Sequence, residues 1–275
     1  MKGCDEMRDC MNGTIYGFIR GDEPENQSGD MREGWTLHIK DQSWVEDTEH
    51  QVDFVIQTLG LTGSERILDM ACGYGRHSLA LARKGFSVVG VDITKAYIDD
   101  AKIEAQKAGL NVEFRLCDIR DLNFYEEFDV VLNMADGAIG YFETDEENLV
   151  VFDKIAESLK PGGRHLMDVC NAEHAENYFP KRNWQIGTKI LALPEFDWDK
   201  ERRRMIYGGW EIEFGKVAQR PVPLGKGGGA RLYSLNELDE ILRARGMHIR
   251  QAFSDYDGKE ATPKQIQLIV CSVKD

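Results

Sequence analysis

Short apolar runs that alternate with amphipathic segments constrain the fold of this chain more than any other feature of its sequence. The runs at Arg66–Met70 and at residues 128–134 are nearly continuous in apolar residues, which is typical of strands buried on both faces. The segments between such runs repeat apolar residues at helical spacing and end at a glycine, as at Gly85 and Gly109. This alternation predicts an α/β fold in which helices cover both faces of a parallel sheet.

The alternation divides the chain into four parts. Predicted strands fall near residues 66–70, 87–92, 112–116, 128–134 and 164–170, with helices near 43–59, 76–84, 94–108 and 146–159. After Cys170 the rhythm stops, and residues 171–232 show prolines and strand-like stretches that predict a β-rich cap inserted after strand five. A capping-box pattern at Ser234 and Glu237 then begins a helix near 234–245, followed by strands near 248–253 and 265–273.

We therefore predict four regions along the chain. Residues 1–60 form an N-terminal segment and a helix that cover the active site, and residues 61–170 form the ligand-binding core. Residues 171–232 form the cap, and residues 233–275 return to the core with the last helix and strands six and seven. The complete sheet is expected to have seven strands, mostly parallel, as in Rossmann-like folds.

Composition excludes several classes of protein. The chain has 275 residues, of which 42% are hydrophobic, so it can bury a real core. Lys+Arg 34 against Asp+Glu 48 gives a net charge of −14, which argues against binding of long DNA. No apolar run reaches the roughly 18–20 residues of a membrane span. Six cysteines without a CxxC pair favour reduced thiols, a cytoplasmic location and no metal site.

Acidic residues and glycines mark the ends of the first three predicted strands. Asp69-x-x-x-Gly73-x-Gly75 follows strand one, and Asp92 ends strand two. Asp118-Ile119 follows strand three. The carboxyl ends of parallel strands meet at the edge where α/β proteins bind ligands. Glycines there let the backbone approach a ligand, a carboxylate at the end of strand two can accept both hydroxyls of a ribose, and an acid with an apolar neighbour can hold an adenine.

Two ligand classes fit this pattern. A nicotinamide cofactor remains possible, but Ser78 stands where the dinucleotide pattern has its third glycine, which counts mildly against a pyrophosphate-bearing ligand. The full set instead resembles the class I S-adenosylmethionine-dependent methyltransferases, and this resemblance implies that the last strand of the sheet is antiparallel. The matching stretches are Leu68-Asp-Met-Ala-Cys-Gly-Tyr-Gly75, Val91-Asp92, Cys117-Asp118, Phe128-Asp-Val-Val-Leu-Asn133 and Leu159-Lys-Pro-Gly-Gly163.

The resemblance implies S-adenosyl-L-methionine as cofactor, S-adenosyl-L-homocysteine as product, and a set of binding residues. Gly73 and Gly75 approach the methionine part, Asp92 binds the ribose, and Met134 lies near the sulfonium. The adenine lies between Asp118 and Ile119. The full cofactor set is Asp69, Ala71, Gly73, Gly75, Asp92, Ile93, Asp118, Ile119 and Met134.

The acceptor side is less determined, because an activated methyl donor requires no fixed catalytic motif. The predicted catalytic residues are His174, Asp136 and Tyr141, which follow strands four and five near the expected mouth. We expect a small-molecule acceptor. An RNA or protein methyltransferase, a nicotinamide-dependent oxidoreductase and a non-catalytic S-adenosylmethionine-binding subunit are the alternatives, and the oligomeric state stays open.

The tryptophans allow two interpretations. All five lie outside the predicted ligand-binding core, at positions 35, 44, 184, 198 and 210. They either form a small core of their own segments or line a lid over the acceptor.

Overall fold

The computed structural model describes residues 37–41, 43–187, 189–218, 220–221, 223 and 228–275. Most of the predicted N-terminal segment, including Trp35, therefore lies outside the described residues, as do residues 224–227 of the predicted cap. No helix of the described residues is both long and apolar enough to cross a membrane.

A seven-stranded mixed sheet forms the centre of the molecule. Its spatial order is β11-β12-β5-β4-β1-β2-β3, and β12 runs antiparallel to both of its neighbours. The other neighbouring pairs are parallel, with Leu68 of β1 opposite Val89 on one side and Val131 on the other. This arrangement confirms the predicted fold class. The strands are β1 Arg66–Met70, β2 Ser87–Asp92, β3 Val112–Leu116, β4 Phe128–Asn133, β5 Leu159–Cys170, β11 Met247–Phe253 and β12 Gln267–Lys274.

Helices cover both faces of this sheet. Phe152 and Leu238 belong to a buried apolar cluster on one face, and Val55 and Leu81 belong to a second cluster on the other. The predicted capping box of Ser234 and Glu237 is present at the start of the last helix. The helices are α1 Thr48–Leu59, α2 Arg76–Arg83, α3 Lys95–Ala108, α4 Asp145–Ser158, α5 Ala172–Tyr178 and α6 Leu235–Arg243.

Two predicted boundaries are wrong. The first helix begins at Thr48 rather than near residue 43, because Ser43–Asp47 forms a 3-10 turn in which the Thr48 hydroxyl donates to the Val45 carbonyl. β5 begins at Leu159 rather than Arg164, because the turn at 160–163 is a bulge inside the strand. Leu159 pairs with Phe128, and pairing resumes where Arg164 meets Val130.

A second, antiparallel sheet follows β5 and confirms the predicted β-rich insertion. Its order is β10-β9-β8-β6, and β7 pairs with β8. Helix α5, which separates it from β5, was not predicted, since it is only seven residues long. It begins at Ala172, and the side chain of Asn171 caps it by accepting from the Glu173 amide. The strands are β6 Lys181–Arg182, β7 Gln185–Ile186, β8 Ile190–Asp199, β9 Arg204–Glu213 and β10 Gly229–Arg231.

A close backbone contact joins the second sheet to the loop after β4. The Arg231 amide donates to the Gly140 carbonyl at 2.7 Å. Gly140 has φ +83°, and a Cβ on it would lie 1.9 Å from the Arg231 carbonyl oxygen. Only glycine allows the two backbones to approach so closely, so this residue positions the second sheet beside the carboxyl edge of the main sheet.

The tryptophans of the second sheet differ in their surroundings. Trp198 packs against the apolar cluster that contains Phe196 and Met205, as expected for a small core. Trp184, by contrast, is 62% exposed. The described residues therefore support the core interpretation for Trp198 alone.

Candidate functional site

A cleft of about 990 Å³, open solvent at its mouth included, lies at the carboxyl ends of β1, β2 and β4. Its position matches the edge where α/β sheets bind ligands. The lining residues are Ile39, Asp69, Ala71, Cys72, Gly73, Tyr74, Arg76, His77, Asp92, Ile93, Thr94, Tyr97, Asp118, Ile119, Met134, Ala135, Gly137, Ala138, Tyr141 and Phe142.

The two glycines after β1 have different surroundings. Gly73 has φ +56°, and a Cβ on it would meet no atom within 4 Å, so this part of the backbone faces open space in the cleft. Gly75 is not among the lining residues. A Cβ on Gly75 would lie 2.7 Å from the ring of Phe114 and 3.1 Å from Ala101. Because Gly75 has no side chain, the start of α2 can pack against β3 and α3.

Asp92 is held at the end of β2 by two backbone amides. Its Oδ2 accepts from the Gly73 amide at 2.9 Å, and its Oδ1 accepts from the Thr94 amide at 2.7 Å. Burial raises the pKa of this carboxyl, while the amide hydrogen bonds lower it. Two fixed donors leave further lone pairs on the carboxylate for a ligand, which is the arrangement required for ribose hydroxyls.

Asp69 lines the cleft and also accepts a hydrogen bond from another side chain of the protein. Its Oδ2 accepts from the Ser78 hydroxyl at 2.5 Å, so the residue that departs from the dinucleotide pattern holds this carboxyl in place. Burial raises the pKa of Asp69 to about 6, against the lowering effect of Ser78 and the charge of Arg76.

Asp118 and Ile119 form one side of the cleft. Asp118 caps the 3-10 turn Ile119–Asp121 by accepting from the Arg120 amide at 2.9 Å. The Arg120 guanidinium pairs with the same carboxylate at 2.7 Å and lies 4.5 Å from the ring centroid of Phe142. These contacts fix an acid beside two apolar side chains, Ile119 and Phe142, as an adenine site requires.

Asp136 and Tyr141 lie in the loop after β4, next to Met134. Tyr141 lines the cleft, and its hydroxyl donates to Oδ2 of Asp136 at 3.1 Å. Asp136 itself is buried behind Tyr141 and is not among the lining residues. Burial, and secondarily the charge of Asp168, raises the pKa of Asp136 to about 7.

His174 lies apart from the cleft lining, in helix α5. Its ring stacks on Tyr178 at 4.7 Å between centroids, and Nδ1 donates to the Lys264 carbonyl at 2.9 Å. Burial lowers the pKa of this imidazole, so its neutral form predominates at neutral pH. The structure brings Asp136 and Tyr141 together but does not bring His174 to them, and its catalytic role stays a prediction.

The structure adds residues that sequence analysis missed. Arg76 and His77 line the cleft, and both bond to the buried side-chain oxygen of Gln51 in α1, at 2.6 and 2.8 Å. Among the described lining residues, Arg76 is the only lysine or arginine. Because an amide oxygen only accepts, His77 donates from Nε2, and burial holds the pKa of His77 well below its usual range. The adjacency of both residues to Gly75 was the only sequence signal for them.

Comparison with known proteins places this site in a family. The family model described as "Methyltransferase domain" matches residues 61–209. The chain belongs to this family. The putative methyltransferase YqeM of Bacillus subtilis (strain 168) is 32% identical over 213 residues, which are 74% of this chain and 81% of that protein. This membership confirms the resemblance to methyltransferases predicted from the sequence.

Two further comparisons extend this result. A ubiquinone biosynthesis O-methyltransferase of Nitrobacter winogradskyi is 30% identical over 140 residues, 51% of this chain and 48% of that protein. The chain thus spans about half the length of the first curated relatives it matches. The crystal structure of an S-adenosylmethionine-dependent methyltransferase from Clostridium acetobutylicum shares the fold, with a TM-score of 0.70 and 18% identity over 86% of this chain and 96% of that one.

Proposed function

We propose that this protein transfers the methyl group of S-adenosyl-L-methionine to a small-molecule acceptor and releases S-adenosyl-L-homocysteine. The observation that carries the proposal is the Asp92 carboxylate, which two backbone amides fix at the edge of a cleft lined by an open glycine backbone. S-adenosylmethionine supplies an activated methyl group, which an in-line displacement transfers to the acceptor.

The charge of the cleft supports a sulfonium ligand. Three carboxylic acids, Asp69, Asp92 and Asp118, line it together with Arg76 as the one described guanidinium. Such a lining favours a cationic sulfonium and disfavours a pyrophosphate, which usually binds where positive charge and free amides converge. The geometry thus supports the methyl donor over a nicotinamide cofactor.

We propose the nine residues predicted from the sequence as the donor site, with one difference in role. Eight of them line the cleft, and Gly75 acts by allowing close packing behind it. Arg76 is added as the group that can pair with the donor's carboxylate, since guanidinium and carboxylate match in charge and shape.

A small molecule is the acceptor class that the cleft and the comparisons support. The site is a cleft lined by apolar residues and a few polar groups, as small-molecule sites are, and the net charge of −14 disfavours RNA. The Nitrobacter relative is named for O-methylation in ubiquinone biosynthesis. We also propose a cytoplasmic location, in agreement with the four described cysteines, which are all free thiols.

Calorimetry with three ligands tests the donor assignment. The purified protein is titrated with S-adenosylmethionine, S-adenosylhomocysteine and a reduced nicotinamide dinucleotide. We expect the first two to bind and the third not to bind. Binding of the nicotinamide dinucleotide alone would reverse the assignment. A second experiment separates the acceptor classes. The protein is incubated with methyl-labelled donor and an extract, and label is measured in the small-molecule, RNA and protein fractions. We expect label in the small-molecule fraction.

A further inference from the structure

We infer that Tyr141 and Asp136 form a proton relay in the wall of the cleft, and that the acceptor carries a hydroxyl group that loses its proton as it is methylated. The inference rests on the proposed function and specifies its acceptor. Tyr141 faces the cleft, Asp136 lies behind it, and one hydrogen bond of 3.1 Å joins them.

The relay ends in a buried cluster of polar side chains. Behind Asp136 lies Asp168 of β5, whose Oδ2 accepts from the Tyr256 hydroxyl at 2.6 Å and whose Oδ1 accepts from Gln267 at 3.1 Å. Asp136 and Asp168 are only 5% and 1% exposed. Two buried carboxyls that face each other are unfavourable when both are charged, so this arrangement favours a state in which one of the two holds a proton.

The backbone at Asp136 is strained as well. Ala135, Asp136, Gly137 and Ala138 all have φ between +51° and +68°. Left-handed backbone is unfavourable for residues other than glycine. Such strain persists where the surrounding structure enforces it, commonly at functional sites. Here the Asp136 amide donates to the Asp168 carbonyl at 2.7 Å, so the strained turn holds Asp136 against β5.

The chemistry of the relay balances without any further reactant. The hydroxyl proton of the acceptor moves to the Tyr141 oxygen while the Tyr141 proton moves to the Asp136 carboxylate. The acceptor oxygen forms its bond to the methyl carbon as the carbon–sulfur bond breaks, and that electron pair stays on sulfur as a neutral thioether. Asp136 then returns the proton to solvent. Tyr141 is the catalytic residue, and Asp136 acts through it.

The groups around the relay set its proton affinity. Burial and the Asp136 charge hold the pKa of Tyr141 well above its usual range, so the phenol keeps a proton to donate. Asp136, with a pKa raised to about 7, accepts that proton above neutrality. The facing groups are Asp168 and Cys170 of β5, Tyr207 of β9 beside Tyr141, and Tyr256 beyond Asp168. Burial keeps the Cys170 thiol protonated by raising its pKa well above the usual range.

A hydroxyl acceptor follows from the position of the relay. A neutral amine attacks with its lone pair and needs no base before the displacement, whereas a hydroxyl oxygen gains nucleophilicity by losing its proton in the transition state. A relay that accepts a proton at the cleft wall therefore serves oxygen methylation. The matching probes are phenols and catechols, with aromatic amines of the same shape as the contrasting set.

The experiment combines an acceptor-independent readout with turnover. Infrared titration of the intact protein follows the carboxyl absorption of wild type, Asp136→Asn and Asp168→Asn with donor bound. Beside the titration of Asp69 near pH 6, we expect a second carboxyl that titrates near pH 7. This second titration should be absent in Asp136→Asn and should shift to lower pH in Asp168→Asn, where the facing charge is removed.

Turnover of the phenol, catechol and amine probes is measured by S-adenosylhomocysteine release. Tyr141→Phe should lower the rate with hydroxyl probes about 10²–10⁴-fold, as expected for loss of a proton acceptor, and should leave donor affinity within twofold. In wild type the rate should rise with pH to a plateau above 7, and this rise should be absent in Asp136→Asn. Tyr233→Phe is the control, since Tyr233 is buried, lies outside the cleft lining and has a hydroxyl without a partner.

The outcomes separate the two hypotheses. Absence of donor binding in wild type contradicts the proposed function itself. Donor binding without a carboxyl titrating near pH 7 overturns the relay. Methylation of amines only, or of no hydroxyl probe, overturns the acceptor class even when the donor binds.

Discussion

The amide of Gly73 donates to Oδ2 of Asp92 at 2.9 Å, and this bond ties the loop after β1 to the end of β2. The loop and the strand end are nineteen positions apart in sequence, but parallel pairing of β1 and β2 places them side by side. The bond therefore fixes both the open glycine backbone and the carboxylate before a ligand arrives. Preorganisation of this kind lowers the entropic cost of binding.

Replacement of Asp92 should weaken donor binding without unfolding the protein. Loss of charge-assisted hydrogen bonds to a ligand typically costs about 2–3 kcal/mol, so Asp92→Ala should reduce affinity for S-adenosylmethionine roughly 30- to 100-fold. Calorimetry measures the change. The control is Asp99→Ala in α3, an exposed carboxylate paired with Lys95, and equal affinity in both variants would sink the ribose assignment.

Gly75→Ala should destabilise the protein through a clash behind the cleft. The added methyl would lie 2.7 Å from the Phe114 ring, at a backbone with φ +79°. We expect a loss of about 2–4 kcal/mol in the free energy of unfolding, from strain and overpacking together. Gly60→Ala separates the two effects, because its φ is +61° and nothing lies within 4 Å. Equal losses in urea unfolding of the two variants would show that the Phe114 contact is unimportant.

Gly140→Ala should separate the second sheet from the loop after β4. The new Cβ would lie 1.9 Å from the carbonyl oxygen of Arg231, and a backbone atom cannot rotate away as a side chain can. We expect a loss of at least about 2 kcal/mol in stability and faster hydrogen exchange at the Arg231 amide. Gly162→Ala, with φ +73° and no atom within 4 Å, is the control. Unchanged exchange at Arg231 would contradict the assigned contact.

Because of Asp69, the stability of the protein should decrease as pH rises through the mildly acidic range. Its pKa rises from 3.8 to about 6 on folding, so between these values the native state holds a proton that the unfolded chain has lost. Stability from this group therefore falls as pH rises from about 4 to 6, by on the order of 3 kcal/mol. Asp69→Asn keeps an acceptor for the Ser78 hydroxyl and removes the titration. The unfolding free energy of wild type minus that of the variant should therefore fall as pH rises across this window. A constant difference would refute the assignment.

The alternating strands and helices of the main sheet could be predicted because each of them shows a pattern in its own residues. Strand β1 is a nearly continuous apolar run, and helix α3 ends before Gly109, which has the left-handed conformation that the sequence suggests. Strand ends then place Asp69, Asp92 and Asp118 at one edge, since parallel strands share their polarity. Local pattern and sheet topology together fixed the donor side.

The rest depends on contacts between distant parts of the chain. His174 follows strand five in sequence, but an unpredicted helix turns it to Lys264, ninety residues later. Nothing in the sequence shows that Gly75 packs on Phe114 instead of lining the cleft, because the Cβ distance that decides it spans two elements. The Asp136–Asp168 relationship was missed for the same reason.

The position of β12 has a consequence for the order in which the sheet and the proposed site form during synthesis. This strand lies in the interior of the sheet, between β5 and β11, yet it is the last of the described strands along the chain. Gln267, its first residue, and Tyr256 supply the hydrogen bonds of Asp168, about ninety to a hundred residues after it. During synthesis the edge of β5 stays open until this strand is made, at a stage when exposed strand edges favour aggregation. A nascent chain can thus complete β1 to β4 early, but it gains its acid–base machinery only in the final step of folding.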